Sequence, residues 1–246
     1  MRLFVGLAPS AEALDDLDAA CAPLRPGRGD LRWTSRELWH ITLAFLGEVS
    51  EERLARLLPR LERAARRHLP FGLSLAGAGA FPSPARANVL WGGLSGDKKA
   101  LGDLAMSVGA GARRAGAPPP DEGRRYRPHV TLARCRMPAD VRVIVGELSG
   151  YQGPAWTAGE IYLIRSTLGG QVRYETLGTW RLSSGDDPPM CAWGGPDRKN
   201  AILSARPTRT KAARCLSTRP FFRRFMTGLF FRGWGRRRGG PGVPRG

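Results

Sequence analysis

The chain has 246 residues, of which 42% are hydrophobic, and this is sufficient for one or two domains with a buried core. No run of 18 apolar residues is present, so we expect no membrane span, and the apolar start of the chain is too short for a secretion signal. The four cysteines are widely spaced and form no CxxC pair, which indicates neither a zinc site nor a disulfide framework. We therefore expect a reducing cytoplasm as the setting.

The net charge of +18 is distributed unevenly along the chain. Residues 1–183 hold 25 basic and 18 acidic side chains, whereas residues 184–246 hold 14 and 3, so the net charges are +7 and +11. A charge of +7 is compatible with a polyanionic partner but does not require one. The second segment has 10 Gly and 7 Pro without periodicity, a composition typical of disorder. We expect a folded domain over 1–183 and a disordered basic tail over 184–246, to which no role is assigned.

Four helices are predicted in chain order from capping residues followed by apolar residues at helical spacing. Ser10 is the expected N-cap of the first helix. Ser50, followed by two glutamates, begins the second, and Pro59 is expected to kink or break it. Asp97 begins the third helix, and Pro138 begins the fourth.

Seven strands are predicted between these helices, from alternating or β-rich segments that end in Gly or Pro. They cover residues 2–7, 38–45, 71–79, 88–94, 129–135, 157–165 and 172–181. The strand that contains His40 and the strand that contains His129 are each followed by a helix and two strands. This repeat predicts two similar lobes related by pseudo-twofold symmetry, with equivalent residues facing each other across a cleft.

The same four-residue pattern occurs at both places in this repeat: His, a β-branched residue, Thr and Leu, at residues 40–43 and 129–132. Residues i and i+2 of a strand share a face, so each histidine projects with its threonine above an apolar base. A single His-x-Thr is most often an ordinary strand, but two copies indicate a paired site. The third histidine, His68, has no threonine partner, and we expect it to offer a positive charge to a helix C-terminus.

Two histidines and two threonines are suited to phosphoryl chemistry. One histidine can remove a proton from water while the other donates a proton to a leaving oxygen, because imidazole titrates near neutral pH. Threonine hydroxyls can donate hydrogen bonds to the non-bridging oxygens of a phosphate. No cluster of Asp and Glu lies near the motifs, and neither a Walker loop nor a G-x-S-x-G motif is present. We therefore expect no metal and no other cofactor.

With its flanking residues, the double motif resembles the 2H phosphoesterases, and within them the bacterial RNA 2′,3′-cyclic phosphodiesterases, also called 2′-5′ RNA ligases. The resemblance covers residues 1–183 and is carried by segments 2–5, 32–33, 39–48, 81–84, 127–134 and 163–166. It implies a bilobal α+β fold with two antiparallel sheets around a central groove and helices outside. It also implies hydrolysis of RNA 2′,3′-cyclic phosphate ends to 2′-phosphomonoesters. The expected partner is RNA or an oligonucleotide with such an end, and the expected state is a monomer.

The resemblance also implies roles for five residues. His40 is the proton donor to the leaving 3′ oxygen, and His129 is the proton acceptor that activates water. Thr42 and Thr131 hold the phosphate. Arg134 stands where the family tends to have a phosphate-contacting arginine, although its strand parity is opposite to that of His129 unless a twist or bulge intervenes.

Other functions remain open on the sequence alone. Ligation of 2′-5′ ends is the same chemistry run toward a diester, so the same residues serve both directions. A non-catalytic RNA- or nucleotide-binding module is disfavoured, because binding alone needs no paired proton-transfer groups. The arginines at 124, 125 and 127 could steer RNA phosphates or lie in a solvated loop. Phe81 could stack a base, but a packing role in the core or a loop is expected.

Overall fold

The computed structural model describes residues 1–120, 125–167 and 172–183. The expected disordered tail therefore lies outside the described residues. The helices are α1 (Ala11–Cys21), α2 (Glu51–Ala65), α3 (Lys98–Arg114) and α4 (Arg142–Glu147). The strands are β1 (Arg2–Leu7), β2 (Leu31–Trp33), β3 (Ile41–Glu48), β4 (Phe71–Phe81), β5 (Ala87–Gly96), β6 (Val130–Ala139), β7 (Gln152–Ala158), β8 (Glu160–Thr167) and β9 (Arg173–Arg181).

All nine strands belong to one antiparallel sheet with the order β7-β4-β5-β6-β3-β1-β8-β9, and β2 pairs with β6 beside this path. The order reads symmetrically outward from the centre, so that β6 corresponds to β3 and β5 to β1. Where the two halves meet in the described sheet, β3 and β6 pair at Ile41 and Val130. The α+β fold with pseudo-twofold symmetry is thus confirmed, and the two expected sheets are the halves of one hydrogen-bonded network.

The predicted caps begin the first three helices. Side-chain oxygens of Ser10, Ser50 and Asp97 accept hydrogen bonds from backbone N–H groups three residues later. Helix α2, by contrast, continues through Pro59, so the expected break is wrong. Proline inside a helix costs about 3 kcal/mol. Leu57 and Leu61 lie on either side of it and are fully buried, and this packing holds the helix together.

The fourth helix begins later than predicted. Pro138 lies in β6, and α4 has only six residues. Ala139 pairs with Ala87 of β5, and the N–H of Val141 donates to the carbonyl of Pro84 over 2.8 Å. These contacts with a distant part of the chain keep residues 138 and 139 extended, so tertiary pairing overrides the helical spacing.

The strands also differ from the sequence interpretation. The single strand predicted over 157–165 is wrong, because β7 and β8 are separate strands that flank Gly159. Gly159 instead accepts a backbone hydrogen bond from Leu182 over 2.8 Å. The short strand β2 was not predicted. Strand β3 begins at Ile41 rather than residue 38, because residues 36–38 form a 3-10 turn.

Candidate active site

The two motif histidines are held by the same backbone contact in both halves of the molecule. His40 lies directly before β3, and its Nδ1 atom is 2.7 Å from the carbonyl oxygen of Leu38. His129 lies directly before β6, and its Nδ1 atom is 2.7 Å from the carbonyl oxygen of Arg127. A carbonyl oxygen can only accept, so Nδ1 carries a proton in both rings. The Nε2 atom of each ring is thereby left to accept or donate a proton.

A β-bulge in each motif strand decides which side chains share a face with the histidines. The pairing of β6 with β5 shifts by one residue at Leu132, and the pairing of β3 with β1 shifts at Leu43. After a bulge the alternation of faces is reversed. Arg134 therefore lies exposed on the same face as Thr131, and its positive charge reaches both histidine rings. Regular alternation would place Arg134 on the opposite face from His129, and the bulge that reverses this is present.

Phe45 occupies in β3 the place that Arg134 occupies in β6. Both follow their histidine by five residues and come after the bulge, in the sequences HITLAF and HVTLAR. Phe45 is 42% exposed, and its ring centroid lies 6.1 Å from that of Phe4. Phe45 is thus a candidate for contact with a ligand, and the sequence interpretation did not consider it. Alignment of the two motifs would have found it, because the five positions that precede it match in burial and differ in sequence only at Ile41 and Val130.

The two threonines lie on the pleat beside their histidines. Thr42 is opposite Gly6 of β1, and Thr131 is opposite Trp91 of β5. In the described part of the chain, neither hydroxyl has a hydrogen-bond partner. Both are therefore available to donate to a ligand. Tyr126 joins the two motifs, because its hydroxyl donates to the backbone carbonyl of Thr42 over 3.0 Å.

Aromatic side chains enclose both histidine rings. Ring centroids lie 4.6 Å and 5.4 Å from His40 for Phe4 and Tyr174, and 5.1 Å and 6.3 Å from His129 for Phe81 and Trp91. Phe81 is half-buried, and it packs against His129 rather than in the core. These rings exclude water from the parts of the histidines that they contact.

This enclosure lowers the pKa of both histidines. Desolvation is the largest cause at His40 and lowers its pKa to about 4. The hydrogen bond to the carbonyl of Leu38 opposes this shift, while the charges of His129 and Arg134 add to it. At His129 desolvation again lowers the pKa, and Arg134 adds to the effect. Both rings are therefore neutral in the free protein at pH 7, and an anion in the cleft would favour the protonation of one.

Comparison with known proteins shows the family. The family described as LigT like Phosphoesterase matches residues 7–91. A protein named RNA 2′,3′-cyclic phosphodiesterase from Methanothermobacter thermautotrophicus is 30% identical over 148 residues, which are 59% of this chain and 78% of that protein. A protein of the same name from Archaeoglobus fulgidus is 34% identical over 142 residues, which are 55% of this chain and 73% of that protein. The chain belongs to the LigT-like phosphoesterase family.

A solved structure in this family has the same fold. The crystal structure of apo E. coli LigT superposes with a TM-score of 0.61 at 28% identity, covering 74% of this chain and 98% of LigT. LigT has also been crystallised with 3′-AMP and with phosphate. These structures support the α+β assignment for the LigT-like domain described here.

Other features of the chain lie apart from this site. Among the described residues, no group of three or more His, Cys, Asp or Glu could hold a metal ion. No helix in those parts of the chain is long and apolar enough to cross a membrane. The Nε2 atom of His68 lies 2.8 Å from the hydroxyl of Ser107 on α3. Burial lowers the pKa of His68, so this ring does not supply the positive charge expected at the end of α2.

Proposed function

We propose that the chain hydrolyses RNA 2′,3′-cyclic phosphate ends to 2′-phosphomonoesters. The observation that carries this proposal is the matched pair of Nε2 atoms, each freed by the hydrogen bond at its own Nδ1. A module that only binds RNA needs no such pair. The relatives named RNA 2′,3′-cyclic phosphodiesterase support the substrate, and the LigT structures with 3′-AMP and phosphate support a nucleotide ligand.

The histidines divide the proton transfers between them in this proposal. His129 Nε2 accepts a proton from water as the water oxygen bonds to phosphorus. The bond between phosphorus and the 3′ oxygen breaks, and protonated His40 Nε2 donates its proton to that oxygen. The product carries a 2′-phosphomonoester and a free 3′ hydroxyl. His129 ends protonated and His40 neutral, so exchange with solvent restores the starting state.

Three further residues hold the phosphate in this mechanism. Thr42 and Thr131 donate hydrogen bonds to non-bridging oxygens, where negative charge accumulates in the transition state. Arg134 adds a positive charge on the same face as Thr131. The bound anion also offsets the lowering of the His40 pKa by Arg134 and His129, so substrate binding itself favours the protonated acid.

The test uses an oligonucleotide that ends in a 2′,3′-cyclic phosphate, incubated with the purified protein in EDTA. We expect ring opening to a product that resists a 3′-specific phosphatase, because the phosphate remains on the 2′ oxygen. Since His68 lies outside the site, His68→Ala is the matched control and keeps the activity that His40→Ala and His129→Ala lose. A 3′-phosphate product, or activity that requires a divalent ion, contradicts the proposal.

Ligation is tested in the same experiment. A second strand with a free 5′ hydroxyl is added and takes the place of water. His129 would accept the proton of that hydroxyl as its oxygen bonds to phosphorus, and His40 would donate to the leaving 3′ oxygen, so that a 2′-5′ linkage forms. Residence in the cytoplasm as a monomer is also part of the proposal. Gel filtration of the whole chain tests the monomeric state.

A further inference from the structure

A row of exposed arginines lies beside the proposed site. Strand β2 pairs with β6 so that Arg32 is directly opposite Arg134. Arg136 lies two residues further along β6 and therefore shares the same face. All three are exposed, whereas Leu31 and Ala133, on the reverse face of the two strands, are buried. We call Arg32, Arg134 and Arg136 the arginine ribbon; they line a cavity of about 500 Å³.

The arginine ribbon is electrostatically unfavourable on its own. Like charges directly opposite each other on neighbouring strands destabilise the pair. Within the described residues, none of the three guanidinium groups forms an ion pair. Asp30 and Asp140 are the acidic residues closest in sequence, and each is already hydrogen-bonded to another arginine, Arg28 or Arg142. The repulsion is therefore left for an external anion to relieve.

The direction of the ribbon indicates the shape of that anion. Arg134 is closest to the histidines, since its charge acts on both of them. The Cα atom of Arg32 lies about 5 Å from that of Arg134 on the neighbouring strand. The Cα atom of Arg136 lies about 6.6 Å from that of Arg134 along β6. A single phosphate bound at the histidines would pair with Arg134. Arg32 and Arg136 would then still have no anion. A chain of phosphates that continues away from the site would reach them.

We infer that Arg32 and Arg136 bind the backbone phosphates of the RNA strand that leads to the cyclic end. This inference rests on the proposed function and deepens it. An oligonucleotide is then a better substrate than a nucleoside 2′,3′-cyclic phosphate, which has no further phosphate to offer. The site opens the terminal ring of both compounds, but only the oligonucleotide gains the ribbon contacts.

The test measures kcat/KM for a nucleoside 2′,3′-cyclic phosphate and for a short oligonucleotide with the same terminal nucleotide, each over a range of salt concentrations. Arg32→Gln and Arg136→Gln are each expected to lower kcat/KM roughly fivefold for the oligonucleotide and to leave the nucleoside unchanged. Each should also reduce the slope of log kcat/KM against log salt by about 0.7, the value for one single-strand phosphate contact. Arg32→Lys and Arg136→Lys keep the charge and should keep the slope.

Arg63→Gln is the matched control, because Arg63 is an exposed arginine on the outer helix α2. It should change neither substrate's kcat/KM nor the salt slope. An equal loss on both substrates, or no change in slope for either Gln variant, overturns the inference. If the unaltered protein opens neither substrate, the proposed function fails instead. If it opens both equally well and with the same salt dependence, the function stands and the ribbon does not bind RNA.

Discussion

The half of the site around His40 and the half around His129 have the same backbone and different side chains. Each histidine donates from Nδ1 to the carbonyl two residues earlier, and each precedes a strand that bulges at a leucine. After the bulge, one half presents Phe45 and the other Arg134. The two halves thus provide two equivalently held histidines, and the side chains around them differ. If the proposed function holds, this asymmetry would let a substrate with a phosphate and a base bind in one orientation.

A second difference concerns the strand next to each motif. Opposite the threonine, β1 has Gly6 where β5 has Trp91. A Cβ atom at position 6 would lie 2.9 Å from the carbonyl oxygen of Ile41 and 3.6 Å from the His40 ring. Glycine therefore avoids a clash with the backbone of Ile41, and Phe4 and Tyr174 pack around the His40 ring. The more complete enclosure of His40 accounts for the desolvation that lowers its pKa to about 4.

Among the substitutions that compare the two halves, loss of either histidine should lower kcat/KM the most. His40→Ala and His129→Ala should each lower kcat/KM on the order of 10²-fold or more, because general acid–base catalysis contributes that much. The double variant should lose less than the product of the two. A better 3′ leaving group should rescue His40→Ala alone, since only the acid becomes dispensable. Rescue of His129→Ala instead would reverse the assignment of acid and base.

The threonines should have the next largest effect and test whether the two halves share the phosphate equally. Thr42→Val and Thr131→Val each remove one donor without changing the volume of the side chain. We expect each to raise the barrier by about 2–4 kcal/mol, as measured from kcat/KM. A much larger loss at one threonine would show that the phosphate lies nearer that half. No loss at either would mean that the hydroxyls do not contact the transition state.

Sequence patterns predicted the features of the fold that depend on neighbouring residues in the chain. The caps at Ser10, Ser50 and Asp97 and the apolar spacing behind them are local signals, and these helices begin where expected. The two bulges and strand β2 depend on pairing between segments about 40 to 100 residues apart, which no single segment encodes. The start of the fourth helix was predicted wrongly for the same reason, because Ala139 pairs with Ala87 of a distant strand. The role of Arg134 could therefore be suspected from resemblance, but its face could not be derived from alternation.

The effect of Arg134 on the two histidines can be measured from the pH dependence of kcat/KM. Its charge lowers the pKa of both histidines, so Arg134→Gln should raise both values. The kcat/KM profile of the unaltered protein should be bell-shaped, with both limbs below the ordinary histidine value of 6.5. In the variant the whole bell should move to higher pH, apart from any loss in height. A loss in height without displacement would mean that Arg134 acts only on the substrate. The two limbs belong to the pair and not to single residues.

Phe45 should show the smallest effect. If a terminal base packs on this exposed ring, Phe45→Ala should raise KM by roughly three- to tenfold with kcat nearly unchanged, since stacking on an aromatic ring contributes about 1–3 kcal/mol per base at most. Phe45→Leu is the matched control for apolar area without the ring. A fall in kcat of the same size in Phe45→Ala would instead indicate that Phe45 positions His40 through Phe4.

The bulges have a consequence for how such a site can change over time. Each one brings the residue five positions after the histidine onto the face that carries the threonine, because the alternation of faces is reversed between them. A substitution at position 45 or 134 therefore leaves the carbonyl contacts of both histidines intact. Deletion of Leu43 or Leu132, in contrast, would remove the bulge and turn the residue five positions after the histidine toward the core. These two strands should therefore tolerate substitution at positions 45 and 134 better than a change in their length.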